Sequence, residues 1–313
     1  MKILVTGGLG HIGSYLIRHL NDQLDVKEIV VVDSLMTQRY SSLFDLPGSP
    51  NVKFINSDVR ELTSSTFSFL KEIDYVIHLA AMTDATHSLD YPMELSANNY
   101  GATNTIQMIC AEFGIPLIFP STTSIYNPNA SNFMVDELNC DVYGNNPYAQ
   151  TKIEEEKLLS RRGAELRYCA LRLGTIFGVS PGMRFHTAVN KFCFQASMGE
   201  SVGVWATALR QKRPYLSITD ASRAISHVIK ENMFTNQTYN VVTLNTTVEE
   251  ILLQISEVAG RKLKIDLVDS KVMNALSYSV LSKKFQDTGF EFKGTLETGI
   301  RETMLLLQGL SHD

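Results

Sequence analysis

Cysteine, tryptophan, long apolar runs and excess positive charge are all scarce in this sequence, and each shortage narrows what the chain can be. The four cysteines of the 313 residues, Cys110, Cys140, Cys169 and Cys193, stand far apart and form no CxxC pair. That pattern suggests neither a disulfide framework nor a zinc site, and no metal ligands are assigned. No apolar run reaches the ~20 residues of a membrane-spanning helix. The opening MKILVTGG carries a charge and a short apolar run, but Gly-Gly ends it too early for a secretory leader. A cytoplasmic location and no membrane partner are expected. Lys and Arg number 28 against 33 Asp and Glu, a net charge of -5, which leaves no basic field to attract nucleic acid. The one tryptophan, Trp205, sits in the strand-like SVGVW and is expected in a strand core rather than stacked on a base.

What the chain does have is apolar residues, 44% of the total, enough for one large core or two that share one. Runs of strand length recur: KILVT, EIVVVD, VKFINSD, DYVIHLA, IPLIFPS and LRYCALRLG. They are apolar on consecutive positions, as in strands buried on both faces. Helical segments separate them: IGSYLIRHLNDQL, MELSANNYGATNTIQMICAEFG and PYAQTKIEEEKLLSRRG. This alternation predicts an α/β fold with a doubly wound parallel sheet. After about residue 174 the rhythm breaks. Helices are expected near 187–198, 220–231 and 248–259, short strands in SVGVW and PYLSI, and a final amphipathic helix in GTLETGIRETMLLLQGL. The expected plan is a nucleotide-binding domain over 1–173, with a returning segment at about 219–242. A smaller mixed α/β lobe over 174–218 and 243–313 would bind substrate.

The first loop, VTGGLGHIGS, places Gly7, Gly10 and Gly13 between a strand and a helix. Glycines so spaced let the backbone turn tightly against a pyrophosphate at a helix N-terminus. The second strand ends in Asp33, twenty residues after Gly13. A carboxylate there accepts from a ribose 2′-hydroxyl and repels a 2′-phosphate, which favours NAD over NADP. Asp58, closing VKFINSD, is placed to reach the adenine.

A second constellation lies further on. Tyr148 and Lys152 in NPYAQTK are four apart on an expected helix and share a face. A phenol titrates near pH ~10. A neighbouring ammonium, with the charge of an oxidised nicotinamide, would stabilise the phenolate and make Tyr148 a base near neutral pH. PSTTSIY supplies hydroxyls at the carboxyl end of a strand, where doubly wound sheets bind ligands.

With these pieces together the chain resembles the extended short-chain dehydrogenase/reductase superfamily, nearest its NAD-dependent nucleotide-sugar epimerase/dehydratase branch, with UDP-glucose 4-epimerase-like members. The matching stretches are TGGLGHIGS, VVVD, HLAA, NNYGATN, STTSIY, YAQTK, LRLGTIFG and KRPYLSITD, with TGFEFKGTLETGI closing the chain. The resemblance implies a Rossmann sheet and bound NAD. It implies cofactor contacts at Gly7, Gly10, His11, Ile12, Gly13, Asp33, Asp58, Val59, Leu79, Ala80, Ala81, Asn98, Tyr148 and Lys152. It makes Thr122, Tyr148 and Lys152 the catalytic set, with Lys152 also holding the nicotinamide ribose, and aims Arg213 at the phosphates of a nucleotide-sugar substrate. It further implies a homodimer in which helices 93–113 and 147–161 form a four-helix bundle.

The departures are informative. Dehydratases of the branch follow the catalytic Thr with Asp-Glu; here Thr123 and Ser124 stand there, with no carboxylate to move the proton that leaves with water. A Cys at the position of Ser124 would mark an epimerase/reductase and is missing. Thr123, Ser124 and Thr175, the last in place of the usual Asn, are candidate substrate contacts, and Arg184 is a candidate for a phosphate, since a guanidinium forks onto two oxygens. Asn190 is a candidate substrate amide, and His186 is read as structural. The expected activity is an NAD-dependent 4-epimerase working through a transient 4-keto sugar. The alternatives are a nucleotide-sugar dehydrogenase or ketoreductase with net redox, and a non-catalytic NAD-binding protein.

Overall fold

The computed structural model describes residues 1–63, 65, 67–83, 87–127, 134–268 and 277–309. The first half runs β1 (Lys2–Thr6), α1 (His11–His19), β2 (Glu28–Asp33), β3 (Asn51–Asn56), β4 (Tyr75–His78), α2 (Pro92–Phe113), β5 (Leu117–Thr122), β6 (Met134–Val135) and α3 (Pro147–Ser160). Next come β7 (Tyr168–Leu173), β8 (Thr175–Phe177), α4 (Ala188–Ser197), β9 (Val202–Trp205), β10 (Lys212–Ser217), α5 (Ile218–Lys230) and β11 (Gln237–Val241). The chain closes with β12 (Leu244–Thr247), α6 (Val248–Ala259), β13 (Ile265–Val268), β14 (Ser279–Val280), α7 (Lys283–Gln286) and α8 (Leu296–Leu306).

Seven parallel strands form the main sheet in the order β11-β7-β5-β4-β1-β2-β3. The winding direction reverses between β1 and β4, so a crevice opens beyond their carboxyl ends. The consecutive apolar runs follow from this architecture. Ile3, Val5, Ile29 and Val31 point to the face covered by α1 and α5, while Leu4, Val30 and Val32 point to the face carrying Ala102 and Ile106 of α2. Both faces are buried, so alternate positions are equally apolar. VKFINSD is the exception. As the outermost strand, β3 is covered less, and none of its residues is fully buried.

Helix ends follow local chemistry. Pro92 and Pro147 open α2 and α3, where a missing N–H costs nothing. Asn146 Oδ1 caps α3 by accepting from Ala149 N at 2.9 Å, which fixes where Tyr148 leaves the helix. The smaller lobe has a three-stranded sheet, β12-β10-β8, and the pair β13-β9. Phe177, Val189, Phe192, Ile251, Ile255 and Ile300 share its core. Between β10 and β12 the chain returns to the main sheet: α5 covers one face, and β11 pairs with β7. No helix among the described residues is long and apolar enough to cross a membrane.

Candidate active site

A cavity of ≈490 Å³ lies at the reversal point of the sheet. Every cofactor candidate from Gly7 to Asn98 lines it. Gly7 is at φ +65°, and a Cβ there would lie 2.5 Å from Ala80 N, so only glycine lets the first loop meet the turn after β4. Helix α1 begins at Gly10 with no side-chain cap, which leaves first-turn N–H groups for an anion. His11 Nδ1 is buried on the same wall without a hydrogen-bond partner. Asp33 accepts from Leu9 N at 3.1 Å and Leu35 N at 2.9 Å, which holds its carboxylate at the rim. These features fit a dinucleotide. Asp58 accepts from Arg60 Nε and Nη2, and that guanidinium holds its carboxyl below the usual range.

Two residues that sequence reasoning passed over shape this cavity. Arg39 lines it from the loop after β2, where no periodicity marked it. Asn99, beside the expected Asn98, binds Met82 through both ends of its amide: Oδ1 accepts from N at 2.7 Å and Nδ2 donates to O at 2.9 Å. It thereby fixes the chain leaving the HLAA turn. Its buried position one turn from Leu95 and Thr103 on α2 was the available signal.

The loop after β8 is latched onto α1. His11 Nε2 bonds Gly178 O at 2.8 Å, Ser180 Oγ donates to His11 O at 2.9 Å, and Gly182 N donates to Ser14 Oγ at 2.9 Å. The latch delivers Arg184 into the cavity, where it donates to Thr83 Oγ1. Burial, with the positive charges of Arg184 and Arg39, lowers the His11 pKa to about 4, so this imidazole is neutral near pH 7.

Thr122 ends β5 and is buried; its Oγ1 accepts from Ser124 N at 3.1 Å. Its hydroxyl also acts on the Tyr148 phenol, drawing the phenol's pKa down. From the sequence, Lys152 is expected to lower the phenol's pKa. Lys152, Arg184 and Thr122 all act in that direction, but burial outweighs them and the phenol lies above its ordinary range, with Glu155 adding to the rise. Lys152 is buried, and its Nζ lies 3.1 Å from Glu155 Oε2.

The substrate candidates divide. Arg213 lines a second cavity of ≈270 Å³ with Lys191, Trp205 and Tyr215, stacks on Tyr278 at 5.3 Å and donates to Gln211 Oε1 at 2.9 Å. His186 lines both cavities, so they meet there. Trp205 is 39% exposed on the second cavity's wall; the strand-core expectation is wrong because Val202 and Val204 take the core face of β9 and the alternation along the strand turns Trp205 to the other. Asn190 is fully buried, and its amide accepts from Gly178 N at 3.3 Å and donates to Arg184 O at 3.0 Å. It braces the Arg184 loop instead of facing a cavity. Thr123 is likewise engaged, donating to Leu173 O at 3.2 Å. Ser124 is half-buried in the turn after Thr122, and Thr175 is exposed on β8.

Comparison with known proteins places this geometry. UDP-glucose 4-epimerase of Streptococcus mutans is 30% identical over 58% of this chain and 54% of its own length. A trifunctional UDP-glucose 4,6-dehydratase/UDP-4-keto-6-deoxy-D-glucose 3,5-epimerase/UDP-4-keto-L-rhamnose-reductase of Arabidopsis thaliana is 26% identical over 97% of this chain and 46% of its own. The chain thus spans about half the length of these curated relatives. The crystal structure of the Thermus thermophilus UDP-glucose 4-epimerase in complex with NAD superposes with a TM-score of 0.82 at 26% identity, covering 99% of both chains. A family model matches residues 3–241, from the first strand through the last strand of the main sheet, and the chain belongs to the NAD dependent epimerase/dehydratase family.

Proposed function

We propose that the protein is an NAD-dependent nucleotide-sugar 4-epimerase. The observation that carries this reading is the end of β5. There the Thr122 hydroxyl acts on the Tyr148 phenol, with hydroxyls and no carboxylate at positions 123 and 124. Expelling water from a sugar needs an acid and a base beside the reacting carbon, and this strand end offers neither. When bound, NAD supplies the acceptor and donor of hydride at the sugar carbon. Tyr148 takes the proton of the 4-hydroxyl and returns it once the keto sugar has turned over. Thr122 holds the same oxygen by a hydrogen bond. Lys152 and Arg184 favour the phenolate against the burial that opposes it. Tyr148 also works beside the positive charge of an oxidised nicotinamide, which adds to theirs.

The second cavity suits the nucleotide. Arg213 and Lys191 would meet the diphosphate and Trp205 a base. In the same reading, residues 1–173 with 219–242 form the cofactor lobe and the remainder the substrate lobe of a cytoplasmic enzyme. A homodimer would assemble through α2 and α3, which pack together; Met93 and Met108 are exposed on α2. A monomer mass by light scattering at micromolar concentration rejects the dimer.

The deciding experiment offers UDP- and dTDP-hexoses with NAD, follows product by NMR and absorbance at the NADH band, and repeats with Tyr148→Phe. Inversion at C4 without net NADH, lost by about 10²–10⁴-fold in the variant, is expected. Accumulating NADH would favour the dehydrogenase alternative. NAD binding with no turnover, and no effect of the variant, would favour the non-catalytic one.

A further inference from the structure

Three consecutive glutamates on α3 have three different surroundings. Glu154 pairs with Lys157 in solvent, and Glu156 pairs with Arg172. Glu155 is 1% exposed and faces Lys152 across one helical turn, Nζ to Oε2 3.1 Å. Its other oxygen is the end of an oriented chain. Thr103 Oγ1, on α2, donates to Glu155 Oε1 at 2.5 Å. With that hydrogen spent, Thr103 accepts from His78 Nε2–H at 3.2 Å. The neutral ring then accepts at Nδ1 from Thr6 Oγ1, 2.7 Å away, and Thr6 accepts from Ala80 N at 3.3 Å. All four residues, Thr6, His78, Thr103 and Glu155, are buried. Burial lowers the His78 pKa to about 3, in keeping with a neutral ring in this chain. Every hydrogen points from the wall of the dinucleotide cavity towards the Glu155 carboxylate. Lys152 is also held over the Phe119 ring at 4.6 Å.

We propose that Glu155 is a positioning residue, which anchors the buried Lys152 ammonium from behind so that its remaining N–H donors serve the cofactor. The proposal rests on the reading of Lys152 as the cation of the NAD site. A buried ammonium without a counter-charge is costly to keep in place. The carboxylate is itself held by a chain that starts at the Ala80 amide on the cavity wall, so cofactor turn and lysine are set by one network.

The test is a double-mutant cycle on NADH affinity, read by NADH fluorescence in the full chain and independent of any sugar chemistry. Glu155→Gln is expected to weaken NADH binding about tenfold. In the Lys152→Met background the same change is expected to have no effect on affinity. It should also recover part of the stability that Lys152→Met loses by stranding the carboxylate. A Glu155→Gln affinity within twofold of wild type overturns the proposal, and so does an equal loss in both backgrounds. A purely structural role would lower stability while leaving the affinity of folded protein unchanged. Should Glu155→Gln lack near-UV circular dichroism, Thr103→Val takes its place in the same cycle, with a smaller loss that must also vanish in the Lys152→Met background. Tight NADH binding with the cycle intact but no sugar turned over would sink the epimerase reading alone. A wild-type chain without NADH affinity would overturn both.

Discussion

Replacing Glu156 by Gln should cost the protein several degrees of thermal stability, although the residue lies next to two other glutamates. Arg172 on β7 donates Nη2 to Glu156 Oε2 at 2.7 Å and Nε to Oε1 at 3.0 Å, a two-point fork with 10% and 15% of the side chains exposed. The network continues both ways. Ser121 Oγ donates to Glu156 Oε1 at 2.5 Å, Arg172 Nη1 donates to Tyr126 OH at 3.0 Å, and Tyr126 OH donates to Asn240 Oδ1 at 2.7 Å. Strands β5, β7 and β11 are therefore tied to α3 through one carboxylate. Removing one partner of a buried pair strands the other, at about 3–5 kcal/mol. The slight exposure of both groups favours about 3 kcal/mol. At roughly 2 °C per kcal/mol for a chain of this size, Tm should fall by about 6 °C.

Differential scanning calorimetry measures this directly, with Glu154→Gln as control. The Glu154–Lys157 pair lies on the same helix with 52% and 54% of the side chains exposed, so its loss should move Tm by no more than about 2 °C. Raising salt should erase that small difference and leave the larger one, because only exposed pairs are well screened. Equal shifts for the two variants would refute the reasoning. The loss should also reach the chemistry, since Ser121 adjoins Thr122 and Glu156 shares α3 with Tyr148. A fall in kcat at saturating substrate, in protein still folded at the assay temperature, is expected.

The single Trp makes the second cavity directly observable: UDP or dTDP should change Trp205 fluorescence saturably, and Arg213→Ala should weaken that titration about tenfold or more. A signal unmoved by any nucleotide would place the nucleotide elsewhere. Stability should rise with pH between about 5.5 and 7.5, because the buried rings of His11 (pKa about 4) and His78 (about 3) refuse the proton that an unfolded His accepts near 6.5. The two together amount to about 2–3 kcal/mol over that window. Urea unfolding at both pH values checks this: His11→Gln should remove about half of the dependence, and a flat profile rejects it. Asp33→Asn should improve NADP binding relative to NAD by about tenfold or more, read by competition against NADH, since it removes a charge at the cavity rim that opposes a 2′-phosphate.

The parts of this molecule that could be read in advance are those whose chemistry is local in sequence. Gly7, Gly10 and Gly13 announce a loop because their spacing matters within one turn of chain, and Tyr148 and Lys152 announce a site because four residues make one helical turn. The strands are legible as apolar runs because both sheet faces are covered; β3 is the strand that VKFINSD predicts, but at the sheet edge it is not buried on both faces. What stayed hidden is what depends on residues far apart in the chain. A threonine at 123 or an amide at 190 looks available to a substrate until the fold brings Leu173 O, Gly178 N and Arg184 O to them. Trp205 looks like core until Val202 and Val204 are found on the buried face of its strand. The glutamate run shows the limit best. In sequence, EEE followed by lysine on a helix offers nothing to tell the three carboxylates apart. In the fold, a 100° step per residue turns the three carboxylates to solvent, to Lys152 and to Arg172. Two of the three are held by residues more than 15 positions away, Thr103 and Arg172, which no window on α3 alone includes. The catalytic candidates Tyr148 and Lys152 were therefore visible as a pair, while the groups that set their charge and position had to wait for the tertiary structure.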